Sequence, residues 1–264
     1  MQIPWKLLPS AVLCKTGAVS PRAIRIELLI VFTVTLGMSG VRSLLSLIDS
    51  LLKPQALSDQ KVALNVPQST LSLLDLAKQL TGVITLLAWG ALGAYLLWRA
   101  GVALREAGLR WSARIDLPRG IGLAALIGIP GLALYLGAHA AGLALTVQPS
   151  TLGGHWWRVP VLMLSAFGNA WAEEVLVVGY LLTRLRHLGT GRWQALAGSA
   201  VLRGSYHLYQ GFGGFIGNAI MGLVFGYLYQ RSTRLWPLII AHTVLDVVAF
   251  VGYALLRGHV GWLP

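Results

Sequence analysis

Five ionisable side chains in the C-terminal half of the sequence are of types that can activate water for hydrolysis. They are Glu173, Glu174, His207, His242 and Asp246. A carboxylate can take a proton from water as a general base, and a histidine can stabilise the oxyanion that forms. Side chains of the same types also bind divalent metal ions such as zinc. The residue types therefore point to hydrolysis, by either a metal-free or a metal-dependent route.

The spacing of these residues indicates which of them can act together. Glu173 and Glu174 are neighbours in the sequence and would lie about 100° apart around an α-helix, so we expect that they cannot both point at one target. One should act and the other support it. His242 and Asp246 are four residues apart, which places them on one face of a helix, where they can converge on one water or metal.

These residues lie within hydrophobic stretches of a very apolar chain. The sequence has 56% hydrophobic and 11% charged residues, and its mean hydropathy is +0.68, which is typical of a membrane protein. An acidic residue near the centre of a transmembrane helix costs about 2.5 to 3.5 kcal/mol and usually faces a bundle interior or a watered cavity. The structural alternative is a buried Glu173–Glu174 pair that bonds to Asn169 or to other helices.

The hydrophobic stretches predict an all-α, polytopic transmembrane helical bundle of about seven spans, with eight as the alternative. The predicted spans cover about residues 26–52, 71–97, 120–147, 159–184, 194–209, 214–230 and 235–256. We divide this single membrane domain into a basic cytoplasmic arm (residues 1–25), N-terminal transmembrane helices (26–158) and a core with the polar residues (159–256). The fifth span is short for a full crossing.

The formal net charge of +12 lies mostly in the short links between spans. This distribution follows the positive-inside rule and predicts a cytoplasmic N-terminus, so membrane lipid and not nucleic acid is the expected partner. Arginine outnumbers lysine, which we interpret as a sign of a bacterial, multi-pass plasma-membrane protein. Cys14 is the only cysteine, so no intrachain disulfide can form. We find no HExxH, GxSxG or P-loop motif, which leaves serine hydrolases and nucleotide enzymes without support.

Three short patterns resemble the motifs of the CAAX-protease and bacteriocin-processing family of intramembrane proteases, which are EExxxR, FxxxH and HxxxN or HxxxD on successive helices. The corresponding residues here are Glu173-Glu174, His207 in the next helix, and the run His242-Thr-Val-Leu-Asp246. The resemblance covers about residues 159–255, whereas the preceding part resembles the family only in consisting of membrane spans.

The resemblance implies an intramembrane endopeptidase that acts on a membrane-associated peptide or protein, for example a lipid-modified one. It implies that Glu173 is the general base on water, that His207 assists it, and that His242 with Asp246 holds the oxyanion or a metal. In a metal-dependent version, Glu173, His207 and His242 would be the metal ligands. The family has been interpreted both as metalloproteases and as glutamate proteases, so the resemblance leaves the metal open.

The sequence departs from the family pattern at two positions. Val178 stands at the arginine of EExxxR, and Arg203 stands at the phenylalanine of FxxxH. We hypothesise that Arg203 replaces the missing guanidinium from the neighbouring helix and reaches Glu174 or Asp246. Asn218 is a second supporting candidate, because it is the one polar residue in a stripe of glycines that favours close helix packing.

If all the helices were regular, the histidines of the second and third motifs would lie at different depths in the membrane. At about 1.5 Å per residue, His242 lies roughly 10 Å from the cytoplasmic end of its span, whereas His207 lies roughly 20 Å from Trp193. The motifs meet only if the fifth helix tilts, starts deeper, or unwinds near Gly204 and Gly211.

Two other classes of function fit the same residues. A non-catalytic membrane scaffold or bacteriocin-immunity protein of this fold would use the polar cluster to hold its helices together. A proton-coupled transporter is a weaker alternative, because buried carboxylates and histidines can relay protons. The sequence leaves the oligomeric state open.

Overall fold

A computed structural model describes residues 20–256, which form a helical bundle with one small two-stranded sheet. The helices are α1 (Pro21–Val34), α2 (Leu36–Leu52), α3 (Ser72–Arg99), α4 (Ala113–Ala140), α5 (Arg158–His187), α6 (Arg192–Ser205), α7 (Phe212–Ser232) and α8 (Trp236–Leu256). The strands are β1 (Lys61–Asn65) and β2 (Thr146–Ser150). The predicted all-α fold class is confirmed. The predicted basic arm lies outside the described residues except for its last six.

Five of the described helices, α3, α4, α5, α7 and α8, are long and apolar enough to cross a membrane. A sixth span results if α1 and α2 are counted as one, although their axes differ by 51°. The described residues therefore contain five or six candidate spans, against the predicted seven. The first predicted span bends at Thr35, whose φ and ψ are both −127°. The bend needs a glycine, because a Cβ on Gly37 would lie 2.5 Å from the carbonyl oxygen of Phe32.

The predicted fifth span is α6, a helix of only 14 residues. At about 1.5 Å per residue it is roughly 21 Å long, too short to cross a hydrocarbon core of about 30 Å. It pairs instead with α7, and glycines on α7 allow the close approach. A Cβ on Gly222 would lie 3.1 Å from Ala200 Cα, and a Cβ on Gly226 would lie 2.6 Å from Leu196 Cδ1. The predicted packing role of the glycine stripe is thus confirmed at these two positions.

Helix α5 lies at the centre of the bundle, and 72% of its most apolar 18-residue stretch is buried. Its residues Glu174–Tyr180 form a π-helix, a wider turn that occurs often at functional sites. Small residues on α3 let that helix approach α5 closely. A Cβ on Gly90 would clash with the indole of Trp171, and the Trp171 Nε1–H donates to the Leu87 carbonyl at 3.1 Å. The residues of the Glu-Glu motif are therefore enclosed by packed helices.

Two predicted links contain the short strands β1 and β2, which pair in parallel with Lys61 opposite Thr146. No alternation of apolar and polar residues in these stretches is strong enough to predict them. Strand β2 begins just after α4, and the Tyr135 hydroxyl of α4 accepts from the Val147 N–H at 3.0 Å. The sheet therefore ties the link after α2 to the link between α4 and α5.

Candidate active site

The predicted polar residues converge on one large cavity of about 1580 Å³. Glu173 from α5, His207 from the link between α6 and α7, and His242 and Asp246 from α8 all line it. Most of the remaining wall is apolar and comes from α2, α3, α4 and α8. Glu174 does not line the cavity, because its side chain is completely buried behind Glu173.

Glu173 is the member of the carboxylate pair that faces the cavity, and its Oε2 atom has three polar neighbours. The Tyr206 hydroxyl donates to Oε2 at 2.8 Å, and Arg203 Nη2 lies 3.3 Å from the same oxygen. His207 Nε2 is 3.9 Å from it, too far for a direct hydrogen bond. Glu173 Oε1 has no hydrogen bond to any described residue and so is available to a ligand in the cavity.

Glu174 lies in a buried network with Arg203 and His242. Arg203 Nη2 donates to Glu174 Oε1 at 2.7 Å, and His242 Nδ1 is 2.8 Å from the same oxygen. Arg203 Nη2 is also 3.1 Å from His242 Nδ1. Because arginine only donates, His242 Nδ1 either donates to Glu174 or accepts from Arg203. Both arrangements fix the imidazole by its Nδ1 side and leave Nε2 directed towards Asp246, whose Oδ1 is 3.8 Å away.

The expectation that the two glutamates cannot point at one target is wrong. Arg203 Nη2 contacts both Glu173 and Glu174, at 3.3 and 2.7 Å. Two features explain the convergence. The π-helix that begins at Glu174 has a wider turn than the α-helix on which the 100° estimate rests, and the arginine approaches from another helix, between the two side chains.

The structure selects Glu174 over Asp246 as the principal partner of Arg203. Val178, at the position of the family's motif arginine, is completely buried within the apolar core. The guanidinium beside the glutamates therefore comes from α6 and not from the next turn of α5. It lies 5.3 Å from the ring centroid of Phe225, so its other side is covered by an aromatic face.

The mismatch in depth is removed by unwinding of the chain after α6. The helix ends at Ser205, so His207 belongs to an irregular link that returns it to the level of Glu173. Gly211, at the end of the link, has φ +94°, a conformation that favours glycine. A Cβ there would also lie 2.8 Å from the Leu143 carbonyl oxygen. Of the three solutions that the sequence allowed, the structure shows unwinding between Gly204 and Gly211.

The two asparagines near the site have different partners. Asn169 Nδ2 donates to Asp246 Oδ2 at 3.4 Å, and it is not bonded to the glutamate pair as the structural alternative expected. Asn218 lines the cavity, but its Nδ2 donates at 3.0 Å to the Gly214 carbonyl of its own helix. Asn218 therefore does not clasp a second helix through this bond.

Sequence reasoning missed Tyr206 as a member of the site. Tyr206 is buried, and its hydroxyl donates directly to Glu173. No motif marks this tyrosine. The only available signal was its position beside His207, because a residue next to a candidate catalytic side chain in an irregular link can reach the same cavity.

The described residues do not fit a metal site. Across residues 20–256, no group of three or more histidine, cysteine, aspartate and glutamate side chains is arranged to hold a metal ion. Of the ligands proposed from the resemblance, His242 directs Nδ1 at Glu174, and Glu173 Oε2 is engaged by Tyr206 and Arg203. The metal-dependent set of Glu173, His207 and His242 thus gains no support from the geometry.

Comparison with known proteins places the similarity in the segment that carries the site. No curated protein and no solved structure matches the chain. Residues 155–248 match one family model, described as type II CAAX prenyl endopeptidase Rce1-like. This segment includes all five cavity and network residues of the predicted motifs, and the match agrees with the resemblance to the CAAX-protease and bacteriocin-processing family.

Proposed function

We propose that the protein is an intramembrane endopeptidase that hydrolyses a peptide bond of a membrane-associated substrate, with Glu173 as the general base on water. The observation that carries this proposal is the position of the Glu173 carboxylate. It faces a large cavity with mostly apolar walls, while the groups behind it form a buried, charge-paired network. Similarity to the Rce1-like family supports protease activity in general.

In the proposed reaction, Glu173 Oε1 accepts a proton from water, and the water oxygen attacks the carbonyl carbon of the scissile bond. The C–N bond then breaks, and the proton passes from Glu173 to the leaving nitrogen. Tyr206 and Arg203 hold Oε2 and so orient the carboxylate. His207 Nε2 is buried without a hydrogen-bond partner among the described residues, and its 3.9 Å gap to Glu173 can be bridged by the attacking water.

The oxyanion that forms on the substrate carbonyl needs a donor from the opposite side of the cavity. We assign this role to His242 Nε2, because Nδ1 is engaged in the Glu174–Arg203 network. Asp246 accepts from Asn169 and faces His242 Nε2 at 3.8 Å, so it can orient the ring and stabilise its protonated form.

The cavity walls indicate the class of substrate. The lining from α3, α4 and α8 is mainly aliphatic, which suits an apolar segment or a lipid attached to a peptide. The description of the matched family names prenylated CAAX substrates, so a prenylated peptide with a free C-terminus is the first substrate to test. The lysine and arginine residues lie mostly in the links on one side of the predicted spans, and arginine outnumbers lysine. We therefore also propose a bacterial plasma-membrane location with a cytoplasmic N-terminus.

The test compares three forms of the purified protein in lipid bilayers, with mass spectrometry of the peptide products. Glu173→Gln keeps the shape of the side chain and should abolish cleavage. Glu106→Gln, a control at an exposed position outside the cavity, should cleave like the wild type. If Glu173→Gln is folded and its product profile equals that of the wild type, Glu173 is not the base and the proposal fails.

The buried Glu174–Arg203–His242 network also favours a second candidate, a non-catalytic scaffold of the same fold. A network with no exposed member, linking α5, α6 and α8, is what an interhelical clasp requires. In that case, substitutions at Glu173 and at Glu174 would change only the stability of the protein. No prenylated or other membrane-bound peptide would be cleaved by the wild type.

A further inference from the structure

A second cavity of about 580 Å³ lies beside α2 and is lined mainly by polar residues. Arg42, Ser46 and Asp49 border it from α2, and Gln60 and Lys61 border it from the following link. Charged residues such as Arg42 and Asp49 are costly within a predicted span, and the proposed reaction makes no use of them. Their position on one side of α2 gives that helix a hydrophilic face directed into this side cavity.

The side cavity and the main cavity share Tyr209 in their walls. From this residue a series of polar groups leads to Glu173. Gln210 Nε2 donates to the Tyr209 hydroxyl at 2.9 Å and lies 3.5 Å from His207 Nδ1. On the other side of the imidazole, His207 Nε2 is 3.9 Å from Glu173 Oε2.

Helix α2 is fixed against this part of the chain. The Ser43 hydroxyl donates to the Tyr206 carbonyl at 2.9 Å, and a Cβ on Gly40 would lie 2.6 Å from the Ser205 hydroxyl oxygen. The side cavity therefore keeps its position relative to the link that carries His207.

Hydrolysis consumes one water in each turnover, and the main cavity is the space that an apolar substrate chain would fill. A bound substrate would thus obstruct the entry of water along the same path. We propose that the polar side cavity beside α2 is the route by which water reaches Glu173 when substrate is bound, with Tyr209 at its inner end. This inference rests on the proposed peptidase function.

The route from the side cavity to Tyr209 can be tested by thiol reactivity, a measurement that does not require peptide cleavage. Cys14 is replaced by serine to remove the only cysteine, and a cysteine is then placed at Ser46 or Tyr209. A small anionic methanethiosulfonate reagent should modify both positions. With an excess of prenylated peptide present to occupy the main cavity, adding Ser46→Trp, which fills the side cavity, should slow modification of Tyr209→Cys about tenfold, since the reagent must then pass the obstruction. An unchanged rate would overturn the proposed route.

Leu44→Trp is the matched control, because Leu44 is on the same helix, is 46% exposed and lines neither cavity. It should leave the modification rate unchanged, and an equal slowing by Leu44→Trp would also overturn the proposal. If Tyr209→Cys does not fold, hydroxyl-radical labelling of the native Tyr209 in the Ser46→Trp and Leu44→Trp proteins gives the same comparison.

The activity test uses the same two tryptophan variants with a prenylated peptide. Ser46→Trp should lower kcat about tenfold and leave KM nearly unchanged, because substrate binding uses the main cavity. Leu44→Trp should match the wild type. A wild-type kcat in Ser46→Trp would overturn the water route while the peptidase function stands. If the wild-type protein itself cleaves no peptide, the peptidase function fails, and the thiol measurement decides the accessibility of the cavity separately.

Discussion

Arg203 Nη2 lies 2.7 Å from Glu174 Oε1, and both side chains are completely buried. The guanidinium thus reaches the second glutamate of the motif from α6, whereas the family pattern places its arginine four residues further along α5, where this chain has Val178. The same nitrogen contacts Glu173 at 3.3 Å, so one cation is shared by a pair of adjacent carboxylates. We infer that the arginine has been relocated between helices and that the need for a positive charge at this point has been kept.

The relocation predicts that Arg203→Phe is strongly destabilising. It leaves Glu174 as an uncompensated buried charge, which typically costs about 3 to 5 kcal/mol. The effect is measured by thermal unfolding in detergent, with size-exclusion chromatography to quantify the folded protein that remains. The double variant Arg203→Phe with Val178→Arg restores the family pattern and should recover part of the lost stability. A double variant that is no more stable than Arg203→Phe alone would argue against the relocation.

Tyr206→Phe should lower kcat by roughly tenfold without raising KM, because the tyrosine hydroxyl acts by orienting the Glu173 carboxylate. The loss of one buried hydrogen bond should cost only about 1 kcal/mol of stability. Peptide hydrolysis at several substrate concentrations separates the two constants. Tyr95→Phe serves as the control, since Tyr95 is half exposed on α3. A wild-type kcat for Tyr206→Phe would show that the bond has no part in catalysis.

Gly211→Ala should disturb the site through the backbone of the His207 link. The φ of +94° is strained for alanine, and its Cβ would approach the Leu143 carbonyl to 2.8 Å, so we expect a loss of about 1 to 3 kcal/mol and reduced cleavage. Gly122→Ala on α4 is the matched control, because a Cβ there meets nothing within 4 Å. It should be neutral or slightly stabilising. Equal stability of the two variants would contradict the role given to Gly211.

The ion pair between Glu27 and Arg184 should contribute strongly to the attachment of α1. Arg184 Nε and Nη2 donate to the two Glu27 oxygens at 2.8 and 2.6 Å, and Arg184 is 3% exposed. Glu27→Ala leaves this cation buried and unpaired, with an expected cost of about 3 to 5 kcal/mol. Asp49→Ala, which breaks the exposed Asp49–Lys53 pair, should cost no more than about 1 kcal/mol. Thermal unfolding of both variants checks the contrast, and equal losses would refute it.

Cleavage should be insensitive to chelators, because the described side chains do not form a ligand set. Peptide hydrolysis is measured before and after dialysis against a chelator, with metal content determined on the same samples. Activity that disappears with a stoichiometric metal ion and returns when the metal is restored would show that substrate binding or motion assembles a site from Glu173, His207 and His242.

The sequence by itself determined the class of fold and identified most of the polar residues that meet at the cavity. Hydrophobicity over stretches of about 20 residues is a local property, so it identifies membrane helices directly. Because acidic side chains are costly in a membrane, Glu173, Glu174 and Asp246 stand out as the carboxylates deep within predicted spans of the C-terminal half, and residue types then connect them with His207 and His242. Those inferences need no knowledge of how the helices pack.

Tertiary structure alone decided how these residues are arranged. The bend at Thr35 and the short α6 explain why the described residues contain fewer candidate spans than predicted. Hydropathy does not reveal a local break in a helix or a helix that ends early. The roles of the two glutamates, the choice of Glu174 as the partner of Arg203 and the presence of Tyr206 all depend on contacts between helices that are distant in sequence. The π-helix and the unwound link set the directions of these side chains, and both departures from regular helical geometry are stabilised by the packing around them.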